Sequence, residues 1–335
     1  MIKLSLPLSE VQSQIKLLGR TRLTEDGQEL SWSASGIELC CKAHRIALHF
    51  KDYNPEAKAF LGVYVNNSKQ IHAISGQSPI VVVAEDAGIS TLRILRISAG
   101  DMPVYLQSIV LYGNEEAPSL LPPPSEKTRK MLFIGDSITC GYGTDSEKGD
   151  SVYRSSEEDT THAYAYLTAQ HFDADYQLVC ISGMGILKSC RGQLERQFPE
   201  FFNLANRSGS QELDQSGFCP QVVVVNGGTN DSATVPPKEF ALGVDQFLTT
   251  LRQTYPYAKI VWIYGSMGDK YSQVLYPLFD KRRETDPHMS FCLATAIYDT
   301  DAFVGVNGHP TYLGQQRQAR ELIQHISLIM GKEGW

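Results

Sequence analysis

The stretch Phe133-Ile134-Gly135-Asp136-Ser137-Ile138-Thr139-Cys140-Gly141-Tyr142-Gly143 holds the residues best placed for covalent chemistry. The apolar run from Met131 to Ile134 has the composition of a short buried strand. Gly135-Asp136-Ser137 then breaks it into a glycine-rich turn. A rigid strand end followed by a tight turn presents a small hydroxyl clear of a sheet. Such a hydroxyl becomes a nucleophile when a base takes its proton and donors meet the negative oxygen that its attack creates. Gly-Asp-Ser alone serves equally as a strand-ending turn in which Asp136 caps the next segment. Ser137 as nucleophile therefore depends on partners elsewhere in the chain.

Three later segments supply partners of the right type. Cys180-Ile181-Ser182-Gly183-Met184-Gly185 follows a strand-like run. A glycine there lets the backbone approach a substrate and turn its N–H inward, and it also suits a plain strand-to-helix turn. Asn226-Gly227-Gly228-Thr229-Asn230-Asp231 follows another such run. Asn230 can aim its amide at a developing oxyanion, or it can close an Asx turn or cap a helix. Asn307-Gly308-His309-Pro310 precedes the final helical segment, and a histidine in such a loop is well placed as a general base. Of the eight histidines, His162, His171 and His325 fall in helical segments and His288 follows Pro287 in a connector. No pair has metal-ligand spacing with a third ligand, so the site is expected to use no metal and no cofactor.

These residues need a sheet to hold them. After Lys130, strand-like runs (Met131–Ile134, Tyr176–Ile181, Val222–Val225, Ile260–Tyr264, Phe291–Ile297) alternate with helix-like segments (Thr160–Phe172, Pro237–Thr254, Gln273–Glu284, Tyr312–Met330). Alternation of this kind predicts a parallel sheet covered by helices on both faces, a three-layer α/β/α domain. Functional groups in such sheets gather at the carboxyl ends of the strands. Before residue 113 the pattern differs. Ser31–Cys41, Ala43–Phe50, Phe60–Val65, Ile80–Ala84, Thr91–Ile97 and Leu106–Tyr112 read as short strands between turns, which predicts an all-β jelly-roll sandwich. Trp32, Tyr64 and Tyr105 there could stack on sugars, although core packing is the commoner role of such residues. Pro118, Pro122, Pro123 and Pro124 mark an extended connector. The expected domains are residues 1–126 and 127–335.

Bulk properties narrow the partners. At 335 residues and 42% hydrophobic content, the chain can bury a sizeable core in each of two domains. A net charge of −7 without a basic tract argues against nucleic acid. No apolar run is long enough for a bilayer, so no membrane partner is expected. Seven cysteines without CxxC spacing, and no signal-like start, predict free thiols in a cytoplasmic protein. A homo-oligomer is left open.

Taken together, the blocks around Ser137, Gly183, Gly228-Thr229-Asn230-Asp231 and His309 resemble the SGNH hydrolase superfamily, in the same order, over about residues 130 to 335. Within it, Phe133–Gly143, Tyr164-Ala165-Tyr166 leading to Ala174-Asp175-Tyr176, Ile181-Ser182-Gly183 and His309-Pro310 look like carbohydrate esterase family 2. So does the order of a jelly-roll domain before the hydrolase, whereas family 17 is thought to place its hydrolase first. The resemblance implies removal of acetyl groups from saccharides of xylan or glucomannan, without a metal. It implies Ser137 as nucleophile, His309 as base, and the Ser137 and Gly183 N–H groups with Asn230 as the oxyanion hole. The absence of an export signal points to short acetylated oligosaccharides as substrates. Two other functions fit the same residues: an acyl esterase or thioesterase on a non-carbohydrate ester, and a non-catalytic glycan-binding protein.

One departure concerns His309. The superfamily usually carries Asp three residues before the histidine, where this chain has Val306, and family 2 often carries it two before, where this chain has Asn307. Aspartate orients the imidazole and stabilises the imidazolium. The candidates for orienting His309 are therefore Asn307, Asp299, Asp301 and a main-chain carbonyl, with Ser137 and His309 expected to act as a dyad.

Overall fold

Met131–Ile134 and Val222–Val225 are buried at every position, as strands covered on both faces must be. In the computed structural model, which describes residues 2–100, 102–194, 196–209, 211–214, 217–331 and 335, these runs form the centre of a five-stranded parallel sheet. Its strands are β1 (Arg129–Gly135), β2 (Ala174–Cys180), β3 (Val222–Asn226), β4 (Lys259–Tyr264) and β5 (Met289–Leu293). Their spatial order is β2-β1-β3-β4-β5, with every neighbouring pair parallel. The chain thus steps from β1 to one side and then returns to β3 on the other. Right-handed crossovers in opposite directions put their helices on opposite faces. Accordingly α2 (Tyr164–His171) packs with α6 (Tyr312–Met330), and α4 (Pro237–Thr254) packs with α5 (Ser272–Arg283). The reversal of direction leaves a crevice between the carboxyl ends of β1 and β3, the place where open α/β sheets bind their ligands.

Around this sheet, two boundaries shift furthest from the sequence expectation. The helix expected from Thr160 begins at Tyr164, because Asp159 accepts the Thr161 N–H (2.9 Å) and closes a separate 3₁₀ turn over Thr160–His162. The strand expected to run to Ile297 stops at Leu293, whose register partner Tyr264 is the last residue of β4. An edge strand ends where its only neighbour ends, and Ile297–Asp299 forms a 3₁₀ turn instead.

The chain divides into two compact units, Met1–Glu126 with Ala205–Gln211, and Lys127–Leu204 with Glu212–Trp335. The first is built of antiparallel strand pairs. Two pairs of runs that read as separate strands are each continuous: Gly36–Phe50, bulged between Cys40 and Arg45, and Ile80–Arg96. Residues 205–211 count with this unit although they come from the middle of the later sequence. Trp32 Nε1 donates to Ala205 O (3.1 Å) and Asn206 Nδ2 to Glu29 Oε1 (2.8 Å). Trp32 is fully buried and so is a core residue. Tyr64 and Tyr105 are half-buried beneath cations, Arg93 at 4.2 Å and Lys51 at 5.6 Å from the ring centroids. None of the seven cysteines forms a disulfide. Among the described residues, no helix is long and apolar enough to cross a membrane.

Candidate active site

β1 ends at Gly135, and the short helix α1 spans Ser137–Cys140. Asp136 joins them and caps α1, its carboxylate accepting the Ile138 N–H at 3.0 Å. The turn reading of Gly-Asp-Ser is therefore realised, with Ser137 at the strand end where the nucleophile reading needs it. Ser137 opens α1, where backbone N–H groups have no intrahelical acceptor, and its position at the end of β1 beside β3 is the crevice described above.

The histidine comes from 172 positions further along the chain, and Ser137 Oγ lies 2.8 Å from His309 Nε2. Several contacts bring the two loops together. The Ser146 hydroxyl donates to Gly143 O (2.6 Å) and accepts the Val306 N–H (2.8 Å). The Tyr312 N–H donates to Thr144 O (2.7 Å). Gln315 Nε2, on α6, donates to Ile138 O (2.9 Å). A Cβ on Gly143 would sit 2.3 Å from Val306 Cγ1, and its φ is +63°, so only glycine allows this approach. Within its own loop, His309 N–H donates to Val306 O (3.1 Å) and His309 O accepts from Gly305 N–H (2.7 Å).

The three expected oxyanion donors differ in readiness. Gly183 has φ +82°, and its N–H has no acceptor among the described residues. The loop after it is fixed by Asp231, whose carboxylate accepts the N–H groups of Ile186, Leu187 and Lys188 at 2.8–3.1 Å. Asn230 Nδ2 already donates to Met184 O (2.8 Å) and to Asp136 Oδ2 (3.1 Å). An amide nitrogen carries two hydrogens, so Asn230 reaches an oxyanion only by exchanging one of these bonds. Burial pushes the Asp136 carboxyl up to about 7, opposed by its bond from Ile138 and reinforced by Asp231.

Among the described residues, none of the side chains expected to orient His309 is hydrogen-bonded to its Nδ1. Asp299 pairs with Arg317 (2.6 Å) and Asp301 with Lys148. Both carboxylates are exposed, and each lies with a cation of its own rather than with the imidazole. Asn307, at φ 52°, turns its amide to the Tyr142 hydroxyl (3.0 Å). The buried His309 Nδ1 has no hydrogen-bond partner among the described residues. Burial holds the imidazole down at about 4, and the backbone carbonyls of Asn307 and Val306 only partly offset this.

Asp145, Asp159 and His162 place donor atoms within 4.8 Å of one another, a grouping that histidine spacing alone did not foresee. His162 Nδ1 is bonded to Asp145 Oδ1 at 2.6 Å, while Nε2 is 4.0 Å from Asp159. Sequence reading also missed Ser146, Asp231 and Gln315. All three are buried polar residues, and Asp231 was visible within the Gly-Thr-Asn-Asp block.

A parallel sheet in this order, with a serine and a histidine bonded across its carboxyl edge, defines a hydrolase of the serine-dependent ester class. The GDSL-like Lipase/Acylhydrolase family matches residues 133–290. A Cellvibrio japonicus protein described as acetylxylan esterase / glucomannan deacetylase is 25% identical over 327 residues, covering 94% of this chain and 89% of that protein. The structure of a family two carbohydrate esterase from Cellvibrio japonicus superposes with a TM-score of 0.85 at 22% identity, covering 98% of each chain. A family two carbohydrate esterase from Clostridium thermocellum in complex with cellohexaose gives 0.84 at 22% identity, covering 95% of this chain and 99% of that one.

Proposed function

We propose that this protein is a carbohydrate O-acetyl esterase that removes acetyl groups from xylan- or mannan-derived saccharides through an acetyl-enzyme on Ser137. The observation that carries the reading is the 2.8 Å approach of Ser137 Oγ to His309 Nε2 at the sheet's carboxyl edge. The substrate class is supported by kinship over nearly the whole chain with a relative described as an acetylxylan esterase / glucomannan deacetylase.

A neutral His309 accepts the Ser137 proton at Nε2 as Oγ attacks the acetyl carbonyl. The Ser137 and Gly183 N–H groups meet the oxyanion, and Asn230 joins by releasing Asp136 or Met184. His309 then protonates the departing sugar oxygen. Water, deprotonated by the same imidazole, repeats the attack and frees acetate. The first unit is read as a jelly-roll sandwich, and seven cysteines without a disulfide suit a reducing cytoplasm.

Acetate release from acetylated xylo- and manno-oligosaccharides, resolved by acetyl position, tests the proposal. Release that disappears in Ser137→Ala supports it. A preference for long acyl chains over acetyl on nitrophenyl esters would redirect it to another acyl esterase. Glycan binding with no acetate release at all would leave a sugar-binding protein.

A further inference from the structure

His309 lacks the carboxylate that would fix its ring, yet the ring does not stand alone. Tyr142 faces it, with ring centroids 4.4 Å apart and planes inclined at 40°. Tyr153 stacks on Tyr142, with centroids 4.2 Å apart and planes within 15° of parallel. Both tyrosines are anchored through their hydroxyls. Tyr153 Oη donates to the carboxylate of Glu158, which is 2% exposed. The Tyr142 hydroxyl accepts from Asn307 Nδ2 (3.0 Å), on the same loop as His309.

The Cβ–Cγ torsion of histidine is broad and two-fold, so a single bond at Nε2 leaves the ring plane poorly fixed. A packed aromatic face restricts that torsion. The same face attracts a cation within about 6 Å, more strongly where water is excluded, and the imidazole becomes a cation each time it takes the Ser137 proton. We propose that Tyr142, backed by Tyr153 and Glu158, is the positioning residue for His309, supplying the orientation and the charge stabilisation that a carboxylate provides in a triad. This rests on His309 acting as the base.

The test compares Tyr142→Leu, Tyr142→Phe and Tyr153→Leu on nitrophenyl acetate, with Ser137→Ala as control. Removing the face at Tyr142→Leu should lower kcat about tenfold to thirtyfold with KM within about twofold. Tyr142→Phe keeps the ring and should retain kcat within about threefold. Tyr153→Leu, which leaves Tyr142 in place, should lose about threefold to fivefold in kcat. It is the deciding variant if Tyr142→Leu gives no cooperative thermal melt. Unchanged kcat in the folded leucine variants, a loss confined to KM, or a Tyr142→Phe loss as deep as that of Tyr142→Leu would each overturn the proposal. Full turnover in Ser137→Ala would instead remove the dyad reading itself.

Discussion

The two loops that meet at the site are built differently. The Ser137 turn is made by its immediate neighbours: a buried strand, a capping aspartate and a helix that starts on the nucleophile. The His309 loop has almost nothing local to hold its functional atom. Its nearby acids pair with Arg317 and Lys148, its asparagine turns to Tyr142, and Nδ1 has no hydrogen-bond partner among the described residues. Its support comes from Ser146, Gly143 and Tyr142, more than 150 residues earlier. A nucleophile can be encoded by a short motif because a strand end and a helix start fix it. A base carried on an irregular loop has to borrow its rigidity from elsewhere.

Removing either partner tests whether the two loops act as one unit. Ser137→Ala and His309→Ala should each lower kcat for acetate release by about 10⁴-fold or more, with folds intact by circular dichroism. A His309→Ala loss of only tenfold would break the symmetry, and would mean that another base serves Ser137.

The electrostatic contrast comes next in size. With the buried imidazole held at about 4, the base stays neutral at pH 5. An unperturbed imidazole would have lost about thirtyfold of its neutral form there. The acid limb of kcat/KM should therefore fall near pH 4, and a limb near 6.5 would show the ring to be solvated. Stability carries the matching sign. The folded-state pKa lies below the unfolded value, so the unfolded chain binds the proton first. This contribution is complete above about 6.5 and is lost as the pH falls from there through about 4.

Ser146→Ala probes the link between the loops. It leaves the buried Val306 N–H without its acceptor, a cost of about 1–3 kcal/mol in unfolding free energy. A several-fold loss of kcat should accompany the lower melting temperature, because the His309 loop is what the link holds. Lost stability with full kcat would mean that the loop keeps its place without help. The smallest effects belong to the acids nearest His309 in sequence. Asp299→Ala and Asp301→Ala should each change kcat by less than about twofold, as exposed ion pairs contribute little. A loss from either one as deep as that of His309→Ala would restore a carboxylate triad and end the contrast between the loops.

Much of this was legible in the residues. The buried runs at Met131–Ile134 and Val222–Val225, the helices at Pro237–Thr254 and Tyr312–Met330, and the pairing of Ser137 with His309 all follow from local pattern and motif order. The continuity of Gly36–Phe50 and Ile80–Arg96 was not legible, since bulges break the alternation that marks a strand. Nor was the grouping of residues 205–211 with the first unit, which depends on side-chain bonds to Glu29 and Trp32.

By itself, the sequence determined where β1 gives way to a turn and which hydroxyl stands there. Periodicity and turn chemistry act over a few residues, and so can be read along the chain. Only the tertiary structure decided what holds His309. Proximity in sequence made Asp299, Asp301 and Asn307 the candidates, and packing gave each a different partner while bringing an aromatic face to the imidazole. Which groups meet across 172 positions is set by how the sheet orders its strands and how the loops at its edge close on one another.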